Sequence, residues 1–208
     1  MSQDDNGMLL TYGFSADPDP VPISTFQVTN QARVNISVSA SQAVYCNQIL
    51  VAVPVGADQP SLYAAVPASS SNTNRWSMTS QVKKGSELWE GLVADQSYST
   101  FIFEAITPSD YLINYNLVFG VFGAVNGIMG TSMVAIQENS GTTSDPNTFS
   151  SKHAYYPVQK EFPRFYLQDL VSTTPSAPTV PTTDFANGAP IRLAWESDGT
   201  FFQVFQQN

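Results

Sequence analysis

Apolar and polar residues alternate along most of this chain, which is the pattern of strands that bury one face. The clearest case lies within residues 25–39, where Val34, Ile36 and Val38 alternate with polar neighbours. Other segments alternate in the same way or form short apolar runs, as strands buried on both faces do. The predicted strands cover residues 8–14, 25–39, 44–55, 76–78, 99–106, 155–170, 190–196 and 201–205.

The longest uncharged stretch, residues 117–136, is interrupted by glycines at positions 120, 123, 127 and 130. Each glycine would destabilise a helix by about 1 kcal/mol, and Asn126-Gly127 is a typical two-residue hairpin turn. We therefore predict a buried β-hairpin with strands 111–124 and 128–137 and with Gly127 at positive φ. The length of the stretch also fits a membrane-inserting segment, which is the alternative.

Evenly spaced short strands with turn signals between them predict an all-β fold, an antiparallel β-sandwich. The predicted N-terminal sandwich covers residues 8–138. Residues 139–154 are polar and carry little apolar pattern, so they are expected to form a linker. Residues 155–208 are expected to form a small C-terminal β-segment. A short helix is expected only within residues 82–94.

The composition narrows the function classes. The chain has 208 residues, of which 42% are hydrophobic and 12% charged, and its net charge is −9. This acidic chain has no basic stripe, which excludes the usual mode of nucleic-acid binding. A secretory signal peptide is not evident, so we expect the protein in the cytoplasm or exported by a route that needs no such signal. Cys46 is the single cysteine and is expected to be buried.

Residues with catalytic potential are few. His153 is the single histidine and flanks the predicted linker, where a rigidly held base is not expected. Glu87 and Glu90 are spaced for one helix face rather than for opposite walls of a cleft. We therefore expect no enzyme activity, no catalytic residues, no cofactor and no metal site.

Aromatic residues give the strongest binding signal. Tyr155 and Tyr156 adjoin the polar linker and are candidates for exposed ligand contacts. The segment 189–208 is expected at an intermolecular or interdomain contact, because its last strand is apolar and carries no charge to protect its edge. The interface residues of this hypothesis are Trp195, Phe201, Phe202 and Phe205.

Several short motifs resemble those of uncharacterised bacterial β-sandwich proteins. They are Asp17-Pro18-Asp19-Pro20, Cys46-Asn47-Gln48-Ile49, Val53-Pro54-Val55-Gly56, Val125-Asn126, Ile136-Gln137-Glu138, Phe162-Pro163, and Gly188 followed by Leu193 and Trp195. The resemblance implies an all-β fold in which a larger sandwich precedes a small immunoglobulin-like piece. It implies no activity and no site residues.

These observations favour a non-enzymatic structural or interaction subunit that forms a homo-oligomer or docks into a larger protein assembly. Two alternatives come from other classes of function. One is a lectin-like carbohydrate-binding module that uses exposed tyrosine and tryptophan side chains. The other is a membrane-inserting toxin that uses the 117–136 hairpin.

Overall fold

The computed structural model describes residues 7–25, 29–70 and 74–161, together with the backbone of residues 164–169 and 191–196. The chain divides into two compact units, Met1–Glu161 and Phe162–Asn208. Among the described residues, the first unit contains eleven strands and the second contains one strand pair. The predicted all-β sandwich is confirmed.

Two sheets make up the first unit. The smaller sheet has the order β1-β3-β9-β5, and the larger has the order β2-β11-β10-β4-β7-β6, with β8 paired to β4. All the pairs are antiparallel except the short β2–β11 contact. The strands are β1 (Thr11–Asp17), β2 (Val21–Pro22), β3 (Gln31–Ser39), β4 (Val44–Val55), β5 (Ser69–Ser70), β6 (Trp76–Lys84), β7 (Ser97–Ala105), β8 (Leu112–Ile113), β9 (Leu117–Ala124), β10 (Gly130–Gly141) and β11 (Ser150–Glu161).

The core lies between the two sheets and follows the alternation in the sequence. In β3, Val34, Ile36 and Val38 are all buried, as their spacing predicts. Aromatic rings join the sheets near one end: Phe103 stacks on Phe119 with ring centroids 3.9 Å apart, and Trp76 meets Phe119 edge to face. Cys46 is buried in this core, as its place beside an apolar run predicts.

The predicted hairpin over residues 117–136 is wrong. Strand β9 belongs to the smaller sheet and pairs with β3 and β5, whereas β10 belongs to the larger sheet and pairs with β4 and β11. The segment between them therefore crosses from one sheet to the other, and Gly127 is not among the glycines at positive φ.

Asn126 explains why this Asn-Gly pair does not form a hairpin turn. The buried Asn126 side chain donates to the carbonyl oxygens of Gly56 and Gln59, and its Oδ1 accepts from the backbone N–H of Ile128. The Asn126 amide bonds to backbone groups of two loops and therefore belongs to the interior. A two-residue hairpin turn would instead expose it to solvent.

Half of the residues predicted as a linker are strand. Residues 139–141 end β10 and residues 150–154 begin β11, and the two strands pair from Gly130↔Lys160 to Ser140↔Ser150. Residues 142–148 form the exposed end of this long hairpin, where polar side chains face water, whereas Ser140 is buried. The first compact unit consequently extends to Glu161, beyond the predicted boundary at residue 138.

The second unit contains an antiparallel pair, β12 (Arg164–Asp169) and β13 (Ile191–Glu196), in which Leu167 lies opposite Leu193 and Phe165 opposite Trp195. The strand predicted at 190–196 is thus confirmed at the level of the backbone. Phe201, Phe202 and Phe205 lie outside the described residues, and the interface hypothesis for them and for Trp195 stays a prediction. So does the immunoglobulin-like character of this piece.

Helical structure in the described residues is limited to three single turns of 3-10 helix, Gly85–Glu87, Pro108–Asp110 and Pro146–Thr148. The short helix expected within 82–94 is therefore only the first of these turns. No helix among the described residues is long and apolar enough to cross a membrane.

Candidate functional site

The end strand of the larger sheet, β6, is paired on one side only among the described residues. Its nine residues pair with β7 from Trp76↔Ala105 to Lys84↔Ser97. Within the part of the chain that the structure describes, β6 pairs with no other strand, so its far edge is open. An open edge presents a row of backbone N–H and C=O groups to any strand of a partner.

Both ends of β6 are held firmly. Trp76 is buried in the core, and its indole N–H donates to the Tyr115 hydroxyl at 3.3 Å. At the other end, the backbone N–H of Lys84 donates to Glu87 Oε2 at 2.7 Å, and Lys84 Nζ donates to the Asp95 carbonyl at 2.9 Å. The strand between these anchors is positioned by the fold and needs no partner to form.

The middle of β6 is exposed on both faces. Thr79, Ser80, Gln81 and Val82 are all exposed, and Val82 retains 52% of its accessible surface. In a two-layer sandwich an alternating strand buries every second residue, so four exposed residues in succession mark a strand that extends beyond the cover of the other sheet.

The other edges of the two sheets carry features that oppose strand addition. Strand β1 runs into Asp17-Pro18-Asp19-Pro20, and β5 has only two residues. Strand β11 carries Pro157 within it and is paired with β2 at its end. Proline, charge and shortness are the usual means by which proteins protect an edge. From Ser77 to Val82, β6 has no proline, glycine or charge.

A small aromatic cluster lies on the outer face of the larger sheet. The Trp89 indole N–H donates to the Tyr155 hydroxyl at 3.0 Å, and that hydroxyl donates to the Glu90 carbonyl at 3.1 Å. Trp89 also stacks on His153 with ring centroids 5.6 Å apart. Ala52 and Ala135, neighbours in register, leave room for these rings above the sheet. The cluster therefore fastens the loop 85–96 onto the sheet.

The structure places the two predicted contact residues, Tyr155 and Tyr156, on opposite faces of the sheet. Tyr155 is half-buried and its hydroxyl is already engaged, as just described. Tyr156 faces the core, is 8% exposed and stacks on Phe14 at 5.4 Å, so it is not an exposed ligand contact. The two tyrosines were predicted together, but adjacent residues of a strand point to opposite faces, and only one of them faces outward.

Two buried polar groups hold the interior together. The Glu138 carboxylate accepts hydrogen bonds from the backbone N–H groups of Leu9 and Leu10 and from the hydroxyls of Tyr12 and Ser140. Lys160 Nζ donates to the Ser61 and Ile128 carbonyls and to Asn126 Oδ1. Burial lowers the pKa of Lys160 to about 8. Each charge is satisfied by neighbours that also fix loops, which is a structural role.

The remaining reactive groups are shielded or isolated. Burial and the nearby Glu138 carboxylate raise the pKa of the Cys46 thiol, which keeps it protonated and unreactive. Nδ1 of His153 is buried with no hydrogen-bond partner among the described residues, so nothing orients that ring as a base. Within the same residues no group of three His, Cys, Asp or Glu side chains could hold a metal ion.

Sequence reasoning missed the open edge. It predicted a strand that begins at Trp76 but took it no further than Met78, because Thr79, Ser80 and Gln81 carry no apolar alternation. A polar run between Trp76 and Lys83-Lys84 is nevertheless compatible with an edge strand. Such a strand is solvated on both faces, so its apolar and polar residues need not alternate.

Comparisons with known proteins do not assign this chain to a family. No protein-family model matches the chain, and no curated protein matches it. Among solved structures, the chain is similar to a cohesin module from the family 33 glycoside hydrolase of Clostridium perfringens. That likeness has a TM-score of 0.40 and 7% sequence identity, and it covers 74% of this chain and 98% of the module. We therefore assign the class, an antiparallel all-β sandwich, from the protein's own sheets.

Proposed function

We propose that this protein is a non-enzymatic interaction module that docks to another protein by adding a partner strand to β6. The observation that carries the proposal is the open, uncharged edge from Ser77 to Val82, held in place by Trp76 at one end and Lys84 at the other. Of the other edge strands, β5 is short, β11 carries a proline and β1 ends in Asp17-Pro18-Asp19-Pro20, as described above.

Strand addition suits this edge for a physical reason. The backbone groups on the far side of β6 are solvated in the free protein, and a partner strand replaces those water contacts with a ladder of main-chain hydrogen bonds. The side chains at alternate positions then supply specificity. Because the fold already fixes β6 in an extended conformation, association does not have to order it, which removes part of the entropic penalty of binding.

Two observations support the non-enzymatic part of the proposal. The buried titratable side chains are satisfied within the interior, Glu138 by four donors and Lys160 by three acceptors. The single histidine has its ring stacked on Trp89 and its Nδ1 without a hydrogen-bond partner in the described part of the chain. Neither arrangement supplies a base oriented toward an open cleft.

A carbohydrate-binding role for the outer aromatic residues is less well supported than docking through β6. Sugar recognition uses an exposed ring face next to free polar groups. Here the polar atoms of Trp89 and Tyr155 bond to each other, and a ring face of Trp89 is stacked on His153. These contacts already account for the cluster as the fastening of the loop 85–96.

The test measures amide hydrogen exchange of residues 76–84 in the protein alone and in complexes purified with it from its source. We expect every second amide between residues 77 and 82, those that point away from β7, to exchange more slowly in the complex. The same measurement is made with Val82→Lys and with the control Val118→Lys, since both residues are half-exposed strand valines, at 52% and 51%. Only Val82→Lys should abolish the protection. Protection confined to other strands would overturn the proposal.

A further inference from the structure

We propose that the strand added to β6 is β6 of a second copy of this chain, paired antiparallel about a two-fold axis that passes beside Ser80. This inference rests on the proposed function and names its partner. The two larger sheets would join into one continuous sheet, with the two sandwich cores on the same side of it. Three properties of β6 support a second copy.

The first property is its register. Ser80 is the central residue of Trp76–Lys84, and a two-fold axis perpendicular to the sheet places residue 80 opposite itself. Thr79 then lies opposite Gln81 of the second copy, and Ser77 lies opposite Lys83. Directly opposed residues of an antiparallel pair share one face. In this register every polar residue of the outer face meets another polar residue.

The second property is apolar complementarity on the inner face. Met78 lies opposite Val82 of the second copy, and the axis repeats the pair. Met78 is half-buried against the core, whereas Val82 is 52% exposed. Pairing places each valine beside a methionine that already packs on its own core. Val82, the most exposed apolar residue of β6, is thereby buried by the second copy.

The third property is charge complementarity. The two lysines of β6 occupy one end of the strand, so the two-fold axis separates Lys83 from its own copy by about 20 Å, at 3.4 Å per residue. Lys83 of the second copy instead faces Ser77, and Ser77 pairs with Glu104 of β7. Glu104 and that lysine then lie on one face, about 10 Å apart between Cα atoms, which is two strand spacings.

A lysine and a glutamate side chain together span that distance, and serine is small enough to let them meet above it. The dimer would therefore contain two symmetric Lys83–Glu104 ion pairs between its chains. Glu104 already accepts a hydrogen bond from Gln48 Nε2 at 2.9 Å, which holds the carboxylate on the outer face. The symmetry of a dimer supplies this lysine automatically, whereas a strand of a different protein would carry a lysine here only by coincidence.

The first experiment measures mass in solution by sedimentation equilibrium for the parent, Val82→Lys and Val118→Lys. We expect the parent to dimerise and Val118→Lys to match it. Val82→Lys should weaken the dimer at least about tenfold, because it places two charges against apolar neighbours at the joint. Circular dichroism confirms that both variants are folded. A parent that stays monomeric at millimolar concentration would overturn the second copy as the partner.

The second experiment tests the register by charge exchange. Lys83→Glu alone and Glu104→Lys alone should each weaken the dimer by roughly tenfold, because each creates two like-charged pairs. Mixed in equal amounts, the two variants should form a heterodimer close to the parent in affinity, since each of its two pairs again joins a lysine to a glutamate, one in the parent orientation and one reversed. A mixture no tighter than either variant alone would overturn the register.

These outcomes separate the two proposals. If the parent is monomeric but residues 77–82 are protected by a different protein, the interaction module stands and the second copy is excluded. If neither a second copy nor a different protein protects β6, the proposed function and the proposed dimer both fail. Binding of an acidic peptide strand through Lys83 and Lys84 would contradict the homodimer. Such a peptide would bind the Glu104→Lys variant no more weakly than the parent.

Discussion

Tyr12 donates a hydrogen bond of 3.0 Å from its hydroxyl to Oε2 of Glu138 across the interior of the sandwich. Tyr12 belongs to β1 in the smaller sheet and Glu138 to β10 in the larger one. Both are buried, and burial raises the pKa of Tyr12 well above its usual value. The bond therefore links the two sheets through a neutral phenol and a carboxylate that three other donors also hold.

Replacing this carboxylate should destabilise the whole unit. In Glu138→Gln one oxygen becomes an NH₂ group, which cannot accept bonds and faces donors instead. We expect the free energy of unfolding to fall by about 2–4 kcal/mol, the range for breaking a buried, charge-assisted network. Urea denaturation measures the change. Glu90→Gln is the control, because the Glu90 side chain is exposed, and it should change stability by less than about 0.5 kcal/mol.

Lys160 should make stability depend on pH in the alkaline range. Burial lowers its pKa from 10.5 to about 8 in the folded protein. The unfolded chain therefore binds more protons between these values, and stability rises with pH across that window. The slope for one group is at most about 1.4 kcal/mol per pH unit.

Cys46 and the tyrosines limit the window from above. Burial raises the pKa of Cys46 from 9.0 and the pKa values of Tyr63 and Tyr98 from 10.0, so above about pH 9 the unfolded chain loses these protons first and stability falls. Urea midpoints measured from pH 7 to 8.5 should rise for the parent and should be flat for Lys160→Met. A parallel rise in that variant would assign the effect to another group.

Substituting Gly91 should destabilise the protein in two ways, by backbone strain and by a collision with Tyr155. Gly91 lies at φ +101°, and a Cβ there would collide with the Tyr155 hydroxyl. Gly130 has a similar φ of +132° with nothing within 4 Å of its Cβ position, which makes it a matched control. Gly130→Ala should lose about 1 kcal/mol from backbone strain.

Gly91→Ala should lose more than Gly130→Ala, and it alone should change the fluorescence of Trp89 as the loop 85–96 moves away from Tyr155. Thermal melts and tryptophan emission spectra check the two effects. Equal losses with unchanged emission would show that the loop adjusts without leaving the sheet.

Cys46 should be inaccessible until the protein unfolds. Its thiol is buried, donates to the Gln48 carbonyl at 3.3 Å, and has a raised pKa because of burial. Labelling with a thiol reagent at pH 8 should be at least about a hundredfold slower for the folded protein than in 6 M guanidinium chloride, because reaction requires opening. Rapid labelling of the folded protein would place the thiol at the surface.

The sequence alone determined where the clearly alternating strands lie and which of their faces is buried. Period-two alternation such as that of Val34, Ile36 and Val38 requires a half-buried strand wherever that strand lies, because successive side chains point to opposite faces. The apolar run beside Cys46 correctly placed that residue inside. Alternation also separates Tyr155 from Tyr156, although composition near the linker had suggested that both were exposed.

Only the tertiary structure decided which strands are neighbours. Residues 117–124 and 130–141 are consecutive in the chain, yet they lie in different sheets, because Asn126 bonds to loops more than sixty residues away and holds the connection inside. The open edge of β6 depends equally on the fold. Its polar sequence is compatible with a loop, and pairing with β7, with Trp76 anchored in the core, makes it a strand. Pairing between distant segments is set by the packing of the whole chain, and no local pattern encodes it.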